Sequence, residues 1–360
     1  MLPILIFSQK INWQSKVELN TDDKYHFESS FENFESSFLQ QNKIQVNLPV
    51  DSSNFENFVF YKQNPFSEKL YEKFKEVKVF RGKSLDSDKI SFISFVGERI
   101  NISILDDNKK SIIINSKNKN IFILKNNIQV DDIKKSDLTN DLIDNTNTFK
   151  KKSIREQALN TISFSPKVKK YRIAIITTAE WSNYFIDLYD AKNLEDNEKR
   201  AVVLSEIGIA ISALNGVTER DLGITFELVD GCDDLIEFDT NSDGLTNDDK
   251  FKTINEGAQI INSRIGLANF DIGHSFYNGG GGLAALGALC GGSGKARGTS
   301  GGLTGIGFHF VFAHEIGHML GAPHTFNNAE GFGAGGNMVE SAAGATIMGY
   351  GERKERNLYY

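Results

Sequence analysis

The chain has 360 residues, with 40 Lys and Arg against 47 Asp and Glu, and its net charge of -7 speaks against a nucleic-acid surface, which would cluster basic residues. Only Cys232 and Cys290 occur, which excludes a disulfide scaffold or a thiolate zinc cluster and leaves open whether the two pair or stand apart as small buried residues. The length allows two or three domains with cores of ordinary size, and no run of about 18 apolar residues marks a membrane span.

Residues 1–9 begin with an apolar segment that no positive charge precedes. It reads as the remnant of a signal peptide, which implies export, or as a buried first strand. From 10 to 149 the chain is rich in Asn, Lys, Ser and Phe. Lys43 to Leu48 and Ile100 to Ile104 alternate with period two, while Ile90 to Val96 and Ile112 to Ile114 are more continuously apolar. Such runs between polar turns predict a β-rich domain. One helical stretch stands out, Phe66 to Val77, where Leu70, Tyr71 and Phe74 recur at three and four and would pack on the sheet. Apolar content then falls, and 150–169, opening on Lys150, Lys151 and Lys152, reads as an exposed basic linker and a processing site.

After the linker, strands and helices alternate. Tyr171 to Thr178 predicts a strand, and Glu195 to Val217 a helix with Val203, Ile207, Ala210, Leu214 and Val217 on one face. Ile224 to Val229 is the next strand, Lys250 to Ile265 the next helix, and Phe270 to Phe276 a further strand. This order predicts an α/β or α+β domain on a twisted, mostly parallel sheet with right-handed crossovers. Between the second strand and second helix, Asp239, Asn241 and Asp243 ahead of Gly244 form the opening of a calcium loop, with oxygen ligands at alternate positions. Its twelfth position is Lys250 instead of Glu, so the stretch reads either as a weak Ca2+ site or as a solvated Asp-Gly turn.

Two glycine-rich loops follow, around a run from Leu283 to Cys290. Within it Leu283, Ala284, Ala285, Leu286 and Gly287 predict an antiparallel edge strand whose small side chains leave its backbone open to an extended peptide. The glycine runs lack the phosphate-loop pattern, which argues against nucleotide binding.

The most specific stretch is His314-Glu315-Ile316-Gly317-His318-Met319-Leu320-Gly321-Ala322-Pro323-His324. Imidazoles four apart on a helix share a face, so His314 and His318 can bind one Zn2+. Glu315 leaves the helix about 100° from His314 and can reach a water held by the metal as a general base. Gly321 can take positive φ, end the helix and bring His324 back as third ligand. Three protein ligands leave a fourth position for water, the form of a catalytic site. Phe308, Phe312, Ile316 and Met319 lie on the opposite, core-facing arc, and His274 and His309 are expected to be structural.

This motif, followed by Ala345-Thr346-Ile347-Met348-Gly349-Tyr350, resembles the metzincin zinc peptidases, which pair the long histidine motif with a methionine turn. Asn215 to Gly223, Asp271 to His274, Gly282 to Cys290 and Lys295 to Gly298 resemble the bacterial branch of the reprolysin (adamalysin) type. The likeness covers 170 to 350, and Phe66 to Gly82 is more weakly similar to the propeptides of those enzymes. Thr325-Phe326 after the third His is also similar to the pappalysin branch.

The resemblance implies a metzincin-like catalytic domain over 170–360 behind a prodomain over 10–149, and a secreted zymogen acting as a zinc endopeptidase on protein or peptide substrates. Met348 would support the ligands. Tyr350 would serve as an extra zinc ligand or transition-state donor, or merely pack in the turn. No cysteine precedes Cys232, so latency would need something other than a prodomain thiol on zinc. The family continues with a C-terminal helix, and ten residues after Tyr350 give the expectation of an incomplete domain end. The rival class is an adhesion or binding module that keeps zinc without cleaving. The oligomeric state is left open.

Overall fold

Strands rich in Phe and Ile build the first half. The computed structural model describes residues 38, 43–51, 54–97, 99–105, 168–303, 308–325, 340 and 346–349 in full, and the backbone of 8–9, 14–16, 24–28, 111–118, 121–128, 142–143 and 305–307. Strands β1 (Ser8–Gln9), β2 (Gln14–Lys16), β3 (Lys24–Glu28), β4 (Lys43–Pro49) and β5 (Phe55–Gln63) precede helix α1 (Glu68–Lys73). They are followed by β6 (Val77–Ser84), β7 (Ile90–Val96), β8 (Arg99–Leu105), β9 (Ser111–Asn118) and β10 (Ile121–Ile128). These ten strands form one sheet in the order β1-β4-β5-β6-β7-β8-β9-β10-β3-β2, antiparallel except where β1 runs parallel to β4.

Alternation sorts the side chains. Ile44, Val46 and Leu48 of β4 join Phe58, Phe60, Phe80, Phe95 and Phe38 in a core on one face. Val77, Val79, Phe92 and Val96 point the other way, into the core of the second half. From Ser91 to Val96 every residue of β7 is buried, so neither face is solvated and the only polar residues are the small Ser91 and Ser94. The predicted helix from Phe66 to Val77 shrinks to α1, because Val77 is taken into β6 opposite Val96.

The second sheet has the order β11-β15-β16-β14-β12-β13. Its strands and helices are β11 (Leu142–Ile143), β12 (Lys169–Thr177), α2 (Ala179–Leu188), α3 (Asp196–Leu222), β13 (Ile224–Leu228), α4 (Lys250–Arg264), β14 (Ile272–Tyr277), β15 (Gly282–Ala285), β16 (Gly298–Gly301) and α5 (Gly305–Met319). The order β13-β12-β14-β16 is parallel throughout, and β15 is antiparallel to β16. The fold is therefore mixed α and β. Side chains cap the helices as their sequences suggest: Thr178 accepts from Trp181 N, Glu195 and Glu198 form a capping box, and Asp249 accepts from Phe251 N and Lys252 N.

Helix α3 lies between the two sheets. It is long and apolar enough to cross a bilayer, yet 83% of that window is buried inside the molecule. Where it meets the first sheet, Asn101 Nδ2 of β8 donates to Glu206 Oε1 at 2.8 Å, and the Tyr189 hydroxyl donates to the same oxygen. Burial pushes the Glu206 carboxyl up to about 7, against the lowering effect of those hydrogen bonds.

Residues from the first half border the second sheet at both ends. Beyond β13, Leu228 N donates to Pro65 O at 2.7 Å and Ser67 N donates to Leu228 O at 2.8 Å. Beyond β15, β11 pairs in parallel, with Leu142 opposite Ala284 and Ile143 opposite Ala285. The predicted open edge strand is thus corrected twice. It stops at Ala285, because Leu286 and Gly287 turn away, Gly287 at φ 65° with its amide donating to His318 O. Its outer row is also not vacant, since β11 lies on it.

Candidate metal centre

Helix α5 carries the first two histidines because one of its faces is wholly apolar. Phe308, Phe312, Ile316 and Met319 are buried in the core, as the helical spacing predicts, which turns His314 and His318 the other way. The helix ends at Gly321, whose φ of 100° is open to glycine and strained for any other residue. Gly321 N donates to His318 O and Ala322 N to Gly317 O. The last carbonyls are also covered from outside, by Gly287 N on His318 O and Leu289 N on Met319 O.

The turn returns His324 to the other two. His314 Nε2 and His318 Nε2 are 3.0 Å apart, His314 Nε2 and His324 Nε2 3.2 Å, and His318 Nε2 and His324 Nε2 3.1 Å. A tetrahedral zinc with Zn–N near 2.0–2.1 Å would need neighbouring nitrogens about 3.3 Å apart, so the triangle is of zinc size. Nδ1 of His314 donates to Ile347 O and Nδ1 of His318 to Ala322 O, each at 2.7 Å. Those bonds set the tautomer and leave the two Nε2 lone pairs converging with that of His324 on one point. Three buried lone pairs directed at each other suit a cation. Among the described residues, these three form the one group of ligand side chains close enough to hold a metal.

Glu315 is fully buried beside them on α5, against the first residue of β15. Met348 lies in a 3-10 turn, Ile347–Gly349, with its sulfur packed on Gly317: a Cβ there would come within 2.5 Å of Met348 Sδ. Glu340 ties this turn to the third ligand. Its carboxylate accepts from the Thr325 hydroxyl and from Thr346 N, and its own amide donates to Thr325 O at 2.9 Å. Sequence reading missed Glu340, the carbonyls of Ile347 and Ala322, and Gly282. A lone carboxylate among glycines gives no signal, and backbone carbonyl acceptors have no sequence signature.

The other candidates separate from this centre. Asp239 accepts from Asn241 N and from the Ser242 hydroxyl, while Asp243 accepts from Ala179 N and Leu245 N. Those oxygens shape an Asp-Gly turn and hold the start of α2. His274 is fully buried in β14 with Nε2 2.8 Å from the Ser300 hydroxyl, and burial pushes it down to about 3. His309 faces Phe92 of the first sheet, with ring centroids 5.6 Å apart, and burial pushes it down to about 4. Cys232 and Cys290 are both free, Cys232 in the core with its thiol pushed up to about 12 by burial, and Cys290 exposed. Tyr350 and the basic linker with Lys150 to Lys152 lie outside the described residues.

None of the curated proteins matches the chain. Residues 204–325, which run from α3 through the third histidine, match the family model described as Metallo-peptidase family M12B Reprolysin-like, so this part of the chain is similar to zinc metallopeptidases.

Proposed function

We propose that the protein is a zinc-dependent endopeptidase, made as an exported precursor, in which Glu315 is the general base. The observation that carries this reading is the convergence of three histidine Nε2 atoms within 3.2 Å of one another beside a buried glutamate on the same helix. His314, His318 and His324 would hold the metal. Bound zinc supplies Lewis acidity, drawing the pKa of a water from about 15.7 towards 7 and polarising the scissile carbonyl.

The remaining work falls to the chain. Glu315 takes the proton of the attacking water, and its burial beside the centre lets it keep that proton until the departing amine receives it. Strand β15 binds the peptide in extended form through its backbone, since Leu283, Ala284 and Ala285 present small or inward-turned side chains and a regular row of amides and carbonyls. Met348 and Glu340 hold the floor and the third-ligand loop in register and take no part in proton transfer. Seating of β11 on β15 supports latency: the peptide's place is taken by the chain's own residues 142–143.

The test is Glu315→Gln in the zinc-loaded full chain, scored on casein and a quenched peptide library. Zinc content should be unchanged, and cleavage should fall by at least about a thousandfold, the scale expected when a catalytic base is removed. Wild-type cleavage should vanish with a chelator and return with zinc. Undiminished cleavage by the variant overturns the role of Glu315, and zinc binding without cleavage by the wild type, after the N-terminal half is removed by limited proteolysis, favours a binding module instead.

A further inference from the structure

Glu315 and Gly282 occupy abutting volumes. A Cβ built on Gly282 would stand 2.3 Å from Glu315 Oε1, 2.5 Å from its Cγ and 2.6 Å from its Cδ. Ordinary contact between such atoms begins near 3.5 Å, so the glutamate side chain runs directly over a bare α-carbon. The backbone makes no such demand for glycine. Gly282 is not among the residues with positive φ, and it sits in a regular strand opposite Ser300 of β16, where alanine is readily accepted.

We propose that Gly282 is a positioning residue for Glu315, its missing side chain leaving room for the one rotamer in which the carboxylate lies at the head of the peptide-binding strand. The inference rests on the reading of Glu315 as the base. Turning the carboxylate about its last bond would not relieve an added methyl, because Cγ is crowded as closely as the oxygen. The side chain would have to change χ1 or χ2, carrying the carboxylate to a different staggered position. The clash is with side-chain atoms and not with backbone, so the added methyl displaces the base while the strand can keep its hydrogen bonds. Gly282 also begins the strand on which the peptide would lie, so one segment of backbone sets the position of both substrate and base.

The experiment compares Gly282→Ala in two backgrounds, wild type and Glu315→Ala, using the zinc-loaded full chain. In the wild-type background kcat on a quenched peptide should fall about 100-fold with KM within about twofold, the signature of a displaced reacting group rather than lost binding. Zinc content should not change. In the Glu315→Ala background the crowding atoms are gone, so Gly282→Ala should change neither the residual rate nor the melting temperature.

A kcat unchanged by Gly282→Ala, a loss confined to KM, or equal losses of melting temperature in both backgrounds would overturn the proposal. If the single variant fails to fold, the double variant decides: recovery of folding supports the contact, and continued failure assigns Gly282 a backbone role and overturns it. Full cleavage by Glu315→Gln would instead sink the functional reading, and the melting temperatures of the two backgrounds would still report the contact separately.

Discussion

Glu206 is a carboxylic acid placed where its charge is unwelcome. Held near 7 in the folded chain against an ordinary value of 4.5, it binds more protons folded than unfolded between those two values. Its contribution to stability is therefore fully present below pH 4.5 and is lost as pH rises through 7. Urea unfolding of the full chain should show a falling slope of up to about 1.4 kcal/mol per pH unit across that window, and Glu206→Gln should flatten it. His274 works in the opposite direction: neutral when folded, with a value of about 3, it costs stability as pH falls below its ordinary 6.5. At this scale the histidine motif was legible because its spacing is a helical address, four residues for one turn and a glycine for the return. Gly282 and Glu340 were not legible, since their partners Glu315 and Thr325 are distant in sequence and only the folded chain brings them together.

Helix α5 owes its usefulness to its end. The positive φ of Gly321 aims His324 at the other two rings, so Gly321→Ala should cost about 1–2 kcal/mol in thermal or denaturant unfolding. It should also weaken zinc about tenfold in competition with a chromogenic chelator, as loss of ligand support usually does. Of the second half's elements, the predicted strands and helices fall within small errors at their ends, whereas helix α2 and the glycine-rich strand β16 were missed. Helix α3 runs on to Leu222 and stops before Gly223, past the last apolar position of its predicted face, because a charged final turn of Glu219, Arg220 and Asp221 remains helical in solvent. The strand predicted from Phe270 begins at Ile272. The Phe66 to Val77 stretch is helical only from Glu68 to Lys73: its period was read correctly, but pairing with β7 claimed its last residue for a strand.

In the molecule as a whole, residues 142–143 sit on the strand that the proposed mechanism reserves for substrate. Proline at both positions, Leu142→Pro with Ile143→Pro, removes their backbone donors and should release that strand. Peptide cleavage by the zinc-loaded full chain should then rise by roughly tenfold, since a tethered competitor acts at about millimolar effective concentration. An unchanged rate would show that β11 does not compete with substrate. Sequence could not announce this pairing, because a two-residue strand leaves no periodic trace.

The closing of the second sheet by Pro65 to Ser67 on one flank and by β11 on the other reaches further than latency. Unprotected flanks are templates for another molecule's backbone, and here both are shielded by residues of the first half. Were the first half removed, two rows of hydrogen-bonding groups would be uncovered at once, and the second sheet would lie open to edge-to-edge polymerisation.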